Sequence, residues 1–148
     1  MGKRVVVNKK RVKVLLDFFL KLSTRNIKLA TYCEREDPSK AKSVSLESVN
    51  TDLKEKHLCD TICCLAGWTV IKFGPKEWKV RPDGVIANKH GFPISIHHEA
   101  KRLLISGNVY TSIFEPNCNV RSDRAEILAR LRNLLKYGSK SKLIEALD

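Results

Sequence analysis

Three of the chain's five cysteines, Cys59, Cys63 and Cys64, fall in the segment CDTICCLAGWTVIKFG at residues 59–74, together with Trp68, one of two tryptophans. Thiols so close together admit three chemistries: a metal site, a nucleophile, or simple packing. A structural zinc takes four ligands, usually as two short-spaced pairs. Cys59 and Cys63 are four apart and share a helical face, but no second pair follows. His97 and His98 are adjacent, and His57, His90, Cys33 and Cys118 each stand alone. A nucleophilic cysteine needs a pKa lowered by a helix N-terminus or a nearby histidine. Cys63 or Cys64 near a helix start meets the first condition, and His97 or His98 would have to meet the second. The flanking residues are apolar, the surroundings of an inert core thiol. The sequence therefore favours packing, with Cys59, Cys64, Gly67 and Trp68 as a structural motif, no metal, no cofactor and no catalytic residue. A cysteine- or zinc-dependent enzyme around Cys59, Cys63 and Cys64 remains the less favoured alternative.

The elements that would hold this motif follow from apolar spacing. Asp60 or Thr61 is placed to cap a helix that Gly74 and Pro75 stop, and only Thr69 and Lys72 within it are polar, so the helix belongs in the centre of a domain. Gly67 in mid-helix costs on the order of 1 kcal/mol relative to alanine, which implies that another backbone passes close by. Upstream, Val5–Val7 reads as a short strand, and Val12, Leu15, Leu16, Phe19 and Leu22 recur at helical spacing over residues 10–22. The width of that apolar face suits burial within one chain or a homodimer contact. Residues 34–57 are polar and read as a surface excursion with a short strand at 43–47. From Glu77 onward, turn signals at Pro82-Asp83-Gly84 and His90-Gly91 separate short apolar runs, the pattern of an antiparallel meander. A helix at 98–106 follows. Asp123 with Glu126 marks the start of another that runs to Tyr137 and closes at Gly138, and a last short helix is expected over 143–147. The fold class is α+β: a mainly helical single domain, residues 1–148, with a small antiparallel β-meander.

Twenty-eight Lys and Arg against sixteen Asp and Glu leave a net charge of +12. A field of that size draws in polyanions, so the expected partner is nucleic acid or a phosphate-bearing nucleotide; an acidic protein surface is the alternative. The cations cluster at Lys9, Lys10, Arg11 and Lys13, on the meander at Lys79 and Arg81, and opposite the leucine stripe of the late helix at Arg132 and Lys136. Lys76, Lys79, Arg81, Lys89 and His90 would line a nucleotide pocket if the meander brings them together. Neither a P-loop nor a dinucleotide fingerprint occurs, so any nucleotide would be held by side chains. No apolar run reaches the roughly 20 residues of a membrane span, and five cysteines without a secreted-scaffold spacing suit a reducing cytoplasm.

The segment CDTICCLAGW resembles the CGT..C(I/L)AGW segment of a group of small phage and bacterial proteins, through Cys59, Thr61, Cys64, Ala66, Gly67 and Trp68. VLLDFFLKLSTRNIKLATY is similar to that group's leucine-rich helix and following aromatic-terminated segment, and EAKRLLISGNVYTSIF to its later A..LL......LF stretch, through Ala100, Leu103, Leu104 and Phe114. This sequence departs from the pattern in having Asp60 for Gly, an additional Cys63 and a long stretch at 34–57. The resemblance implies a phage or mobile-element setting, in which a basic binding protein would counter host machinery or defence. The shared residues are apolar or small, and so imply a common scaffold.

Overall fold

The computed structural model of the protein describes residues 4–29, 32–56, 60–116 and 122–147; Cys59, Cys118, His57 and Arg121 lie outside the described residues. Strand β1 (Val6–Val7) leads into helix α1 (Lys9–Lys21), which Asn8 caps by accepting the Arg11 N–H at 3.0 Å. Val12, Leu15 and Phe19, spaced three and four apart, form its buried stripe. Helix α1 packs antiparallel to α5 (Asp123–Tyr137): Arg124 donates to the Leu22 carbonyl at one end, and the Lys9 side chain lies beside Gly138 at the other. The cap of α5 is Ser122, whose hydroxyl accepts from Ala125 N–H, and not Asp123 as the capping-box signal implied. The Asp123 carboxylate accepts instead from the Leu29 N–H, tying the segment after α1 to the start of α5.

Helix α3 (Leu65–Phe73) occupies the centre, with every residue from Leu65 to Ile71 buried. Trp68 is fully buried, and its indole N–H finds the Asn26 carbonyl at 2.8 Å, as an enclosed tryptophan requires. The close backbone approach inferred from Gly67 is present: a Cβ there would collide with the Tyr32 carbonyl oxygen. The helix begins later than expected, however. Thr61–Cys63 forms strand β4, antiparallel to β2 (Cys33–Arg35), and Cys64 sits in extended backbone at the helix N-cap. The β-branched Thr61 and Ile62 suit a strand, and β2 supplies the ladder partner.

Two further expectations are corrected. The stretch read as a polar excursion has its expected short strand, β3 (Val44–Ser45), but also holds the end of β2 and an eleven-residue helix, α2 (Leu46–Lys56). Leu46 and Val49 are buried, so the sparse apolar residues of this segment are its anchor to the core. The last short helix is a strand, β9 (Ile144–Ala146), paired antiparallel with β8 (Val109–Thr111). The β8 strand supplies the ladder partner that this segment needs to be extended, a partner that no local pattern in residues 143–147 announces.

The meander is a three-stranded antiparallel sheet in the order β3, β5 (Lys79–Val80), β6 (Ile86–Ala87); its third strand comes from β3, and the segment after the His90-Gly91 turn contributes only an isolated bridge between Ala87 and Pro93. Helix α4 (Ile96–Leu104), capped by Ser95, packs on α3 and runs into β7 (Ile105–Ser106), the partner of β1. The architecture is α+β: the described residues form five α-helices around one apolar core, with small antiparallel sheets at its margin. No helix among the described residues is long and apolar enough to cross a membrane.

Candidate anion-binding surfaces

Eight carboxylates are engaged in ion pairs among the described residues. Asp17 pairs with Lys21, Glu34 with Lys28, Glu36 with Arg25, Asp37 with Lys40, Asp60 with Arg35, Asp83 with Arg81, Glu99 with Arg102 and Glu126 with Arg130. Much of the excess positive charge therefore falls on cations that no carboxylate pairs with among the described residues, and two groups of them mark candidate surfaces.

The first is the junction of α1 and α5. Lys9, Lys10 and Lys13 are exposed on the first turns of α1, and Arg132 and Lys136 are exposed on α5. None of these five forms an ion pair among the described residues. The antiparallel packing brings Lys9 to the C-terminal end of α5, and Lys136 lies over the Tyr137 ring at 5.3 Å. The first turn of α1 contains no acidic residue, so the positive end of its dipole adds to the lysine charges instead of being offset. Arg11, grouped with these lysines by sequence, is held inside the fold instead, donating to the Leu103 carbonyl at 2.9 Å and stacking over Phe73.

The second surface is a groove of about 870 Å³ between α1, α2 and α3, a volume in the range of small-molecule sites. Its apolar wall includes Val14, Phe18, Leu53 and Phe73, and its cations are Lys54, Lys72 and Lys76. Glu47 and the mutually neutralising Asp17–Lys21 pair also line it. Lys72 is the unusual member. It is half-buried, its ammonium sits over the Phe18 ring at 4.9 Å, and no carboxylate partners it among the described residues. Burial alone holds its pKa below the ordinary lysine value. Phe18 is in turn fixed against Trp68, with ring centroids 5.4 Å apart, so the central helix positions both the cation and the ring beneath it.

The two surfaces join along α1. Lys10, Val14, Asp17 and Lys21 recur at intervals of four, three and four and so share a helix face, of which the last three line the groove. In the sequence Lys72 stands out only as one of two polar residues in an apolar helix. That isolation is the signal that marks it, because a lysine among core residues must have a reason to be there.

The meander cations do not join this arrangement. Lys79 lies exposed on β5, and Arg81 is paired with Asp83 across their turn at 2.8 Å. Of the five residues expected to converge there, Lys76 lines the groove, and none lines the second pocket, a cavity of about 440 Å³ beside β6 and α4. Cys64 is buried, and its pKa is pushed up to about 11 by burial, so it remains a protonated thiol at neutral pH. No three His, Cys, Asp or Glu side chains among the described residues form a group that could hold a metal ion. The chain matches no family model, no curated protein and no solved structure.

Proposed function

We propose that the protein binds a phosphate-bearing partner, nucleic acid or nucleotide, and acts by occupying that partner without catalysing a reaction on it. The observation that carries this reading is Lys72, an unpaired lysine held half-buried in an apolar groove with Lys54 and Lys76 beside it. Keeping a charge partly desolvated with no counter-charge is unfavourable, and an anion entering the groove relieves that cost. The aromatic wall of Phe18 and Phe73 suits a base, and the lysines suit its phosphates. Lys9, Lys10 and Lys13 at the α1 terminus, with Arg132 and Lys136 nearby on α5, extend the positive track for a longer strand. The resemblance at Cys59–Trp68 adds the setting: a phage or mobile-element protein in the host cytoplasm, interfering with host machinery or defence.

Fluorescence anisotropy with a short single-stranded oligonucleotide tests the proposal. Binding is expected at low salt, with the logarithm of affinity falling linearly against the logarithm of salt by roughly 0.7 per phosphate contacted. Replacing Lys54, Lys72 and Lys76 together with methionine should reduce affinity more than tenfold and flatten that slope. Equal affinity in the triple variant refutes the groove as the site. Absence of binding to oligonucleotides and nucleotides alike, in protein that captures an acidic protein surface, replaces this reading with the protein-interaction one.

A further inference from the structure

Cys33 and Cys63 stand directly opposite each other in the β2–β4 ladder. The backbone bonds of that ladder run from Glu36 N–H to the Asp60 carbonyl at 2.8 Å and from Cys64 N–H to the Tyr32 carbonyl at 3.3 Å. Antiparallel pairs alternate between bonded and non-bonded, so residues 36 and 60, 34 and 62, and 32 and 64 are the bonded ones. The Cys33–Cys63 pair is therefore non-hydrogen-bonded. The Cys63 carbonyl confirms this by turning to the other side, where it accepts from Lys28 N–H at 3.1 Å. Opposed residues at such positions have Cα atoms about 4.5 Å apart and side chains on the same face, at the short end of the roughly 4.4–6.8 Å that a disulfide spans. Gly67 reports that shared face independently. A Cβ built on it would lie 2.7 Å from Cys33 Sγ and 2.8 Å from Cys63 Cβ, so both side chains converge beneath the same point of α3.

Both residues carry thiols, as does Cys64. Cys63 and Cys64 are enclosed, whereas Cys33 lines the pocket of about 440 Å³ shared with Tyr32, Asp83, Pro93 and His97. We propose that Cys33 and Cys63 form a reversible cross-strand disulfide, with a small peroxide as the oxidant. In the first step the Cys33 sulfur attacks a peroxide oxygen: an S–O bond forms, the O–O bond breaks, and water leaves a sulfenic acid. In the second, the Cys63 sulfur attacks that of Cys33: the S–S bond forms, the S–O bond breaks and a second water leaves. Two thiols and one hydrogen peroxide thus give one disulfide and two waters. The cross-link closes a loop that contains β3 and α2, and α2 supplies one wall of the groove. Oxidation therefore restrains that wall.

The experiment treats native protein with hydrogen peroxide, blocks remaining thiols by alkylation, and maps peptides after cleavage before aspartate and after lysine and arginine. Cleavage before Asp60 separates Cys59 from Cys63. The Cys64→Ala variant leaves Cys63 as the sole thiol of residues 60–72, so a link to residues 29–35 in that variant identifies the pair without altering either member. The expected result is that link, with loss of two hydrogens and reversal by a dithiol; tandem mass spectra of the wild type read the same link should the variant not fold. Cys33 recovered alkylated, carried to the sulfinic acid, or joined to Cys59, Cys64 or Cys118 overturns the proposal.

Discussion

Two buried cations show how differently this fold treats positive charge. Arg35 is enclosed on β2, yet all of its guanidinium nitrogens are engaged. It meets Asp60 through two parallel bonds of 3.0 and 2.9 Å, and donates to the Lys42 carbonyl at 2.7 Å and that of Val80 at 3.4 Å. One side chain thereby joins β2, the approach to β4, the approach to β3, and β5. Lys72 is also partly removed from water, but it meets a ring face in place of a carboxylate. A fork of five donors can be engaged wholly within the fold, whereas the half-buried Lys72 ammonium has a ring face beneath it and no carboxylate partner among the described residues. The first cation holds the structure together; the second is the one that the proposed function assigns to a partner.

That distinction is broken most forcefully at Arg35. Arg35→Met leaves Asp60 without its partner and removes the donor from the Lys42 carbonyl. Because the Asp60 side chain keeps 43% of its exposure, the loss should fall below the roughly 3–5 kcal/mol of a fully enclosed pair, at about 2–3 kcal/mol. Urea unfolding measures it. A loss under about 1 kcal/mol would show that Arg35 is no more structural than a surface cation.

The thiols offer the next test. Burial raises Cys64 from 9.0 to about 11, so the folded state disfavours its thiolate. Its contribution is complete below pH 9, where both states keep the proton. It is lost as pH rises from 9 towards 11, because the unfolded chain ionises first. The difference in stability between wild type and Cys64→Ala should therefore narrow by on the order of 2 kcal/mol across that window. A difference that does not change with pH would place Cys64 in a wetter environment than its burial indicates.

Lys72 should behave in the opposite sense to Arg35. Lys72→Met keeps the stem on Phe18 and removes the uncompensated charge, so stability at neutral pH should rise by about 0.5–1 kcal/mol while affinity for an anionic oligonucleotide falls about tenfold. Thermal unfolding and anisotropy on the same preparation check both halves. A variant that loses stability would make Lys72 a structural residue like Arg35, and the contrast would disappear.

The sequence reveals more of the helices than of the strands, for a physical reason. Helix α1 and helix α5 carry apolar stripes whose spacing depends only on neighbours along the chain, and both form within a residue or two of the limits those stripes set. Strands β4 and β9 depend on partners, Cys33–Arg35 and Val109–Thr111, that no local pattern announces. Helix α2 was legible in Leu46, Val49 and Leu53, but the surrounding Ser, Lys and Glu obscured a stripe one residue wide. The candidate anion site was half-legible for the same reason. Exposed lysines at the start of α1 can be read from charge alone, whereas the groove requires α2, and the opposition of Cys33 to Cys63 requires a register.

The smallest expected effect lies on the meander, and it sets the limit of the proposed binding surface. Lys79 and Arg81 carry the same charge as Lys54 and Lys76, but Arg81 is already neutralised by Asp83 and its side chain keeps 41% of its exposure. Exposed pairs of this kind contribute roughly 0–1 kcal/mol. Arg81→Ala should thus change stability by less than about 0.5 kcal/mol and leave both the affinity and the salt dependence of oligonucleotide binding as they are in the wild type. Net charge falls by the same single unit as in Lys72→Met, so the two variants separate position from charge. If Arg81→Ala weakens binding as much as Lys72→Met does, attraction to the whole basic molecule accounts for affinity and the groove has no special standing. If only Lys72→Met weakens it, the partner is held where the fold left a cation unanswered.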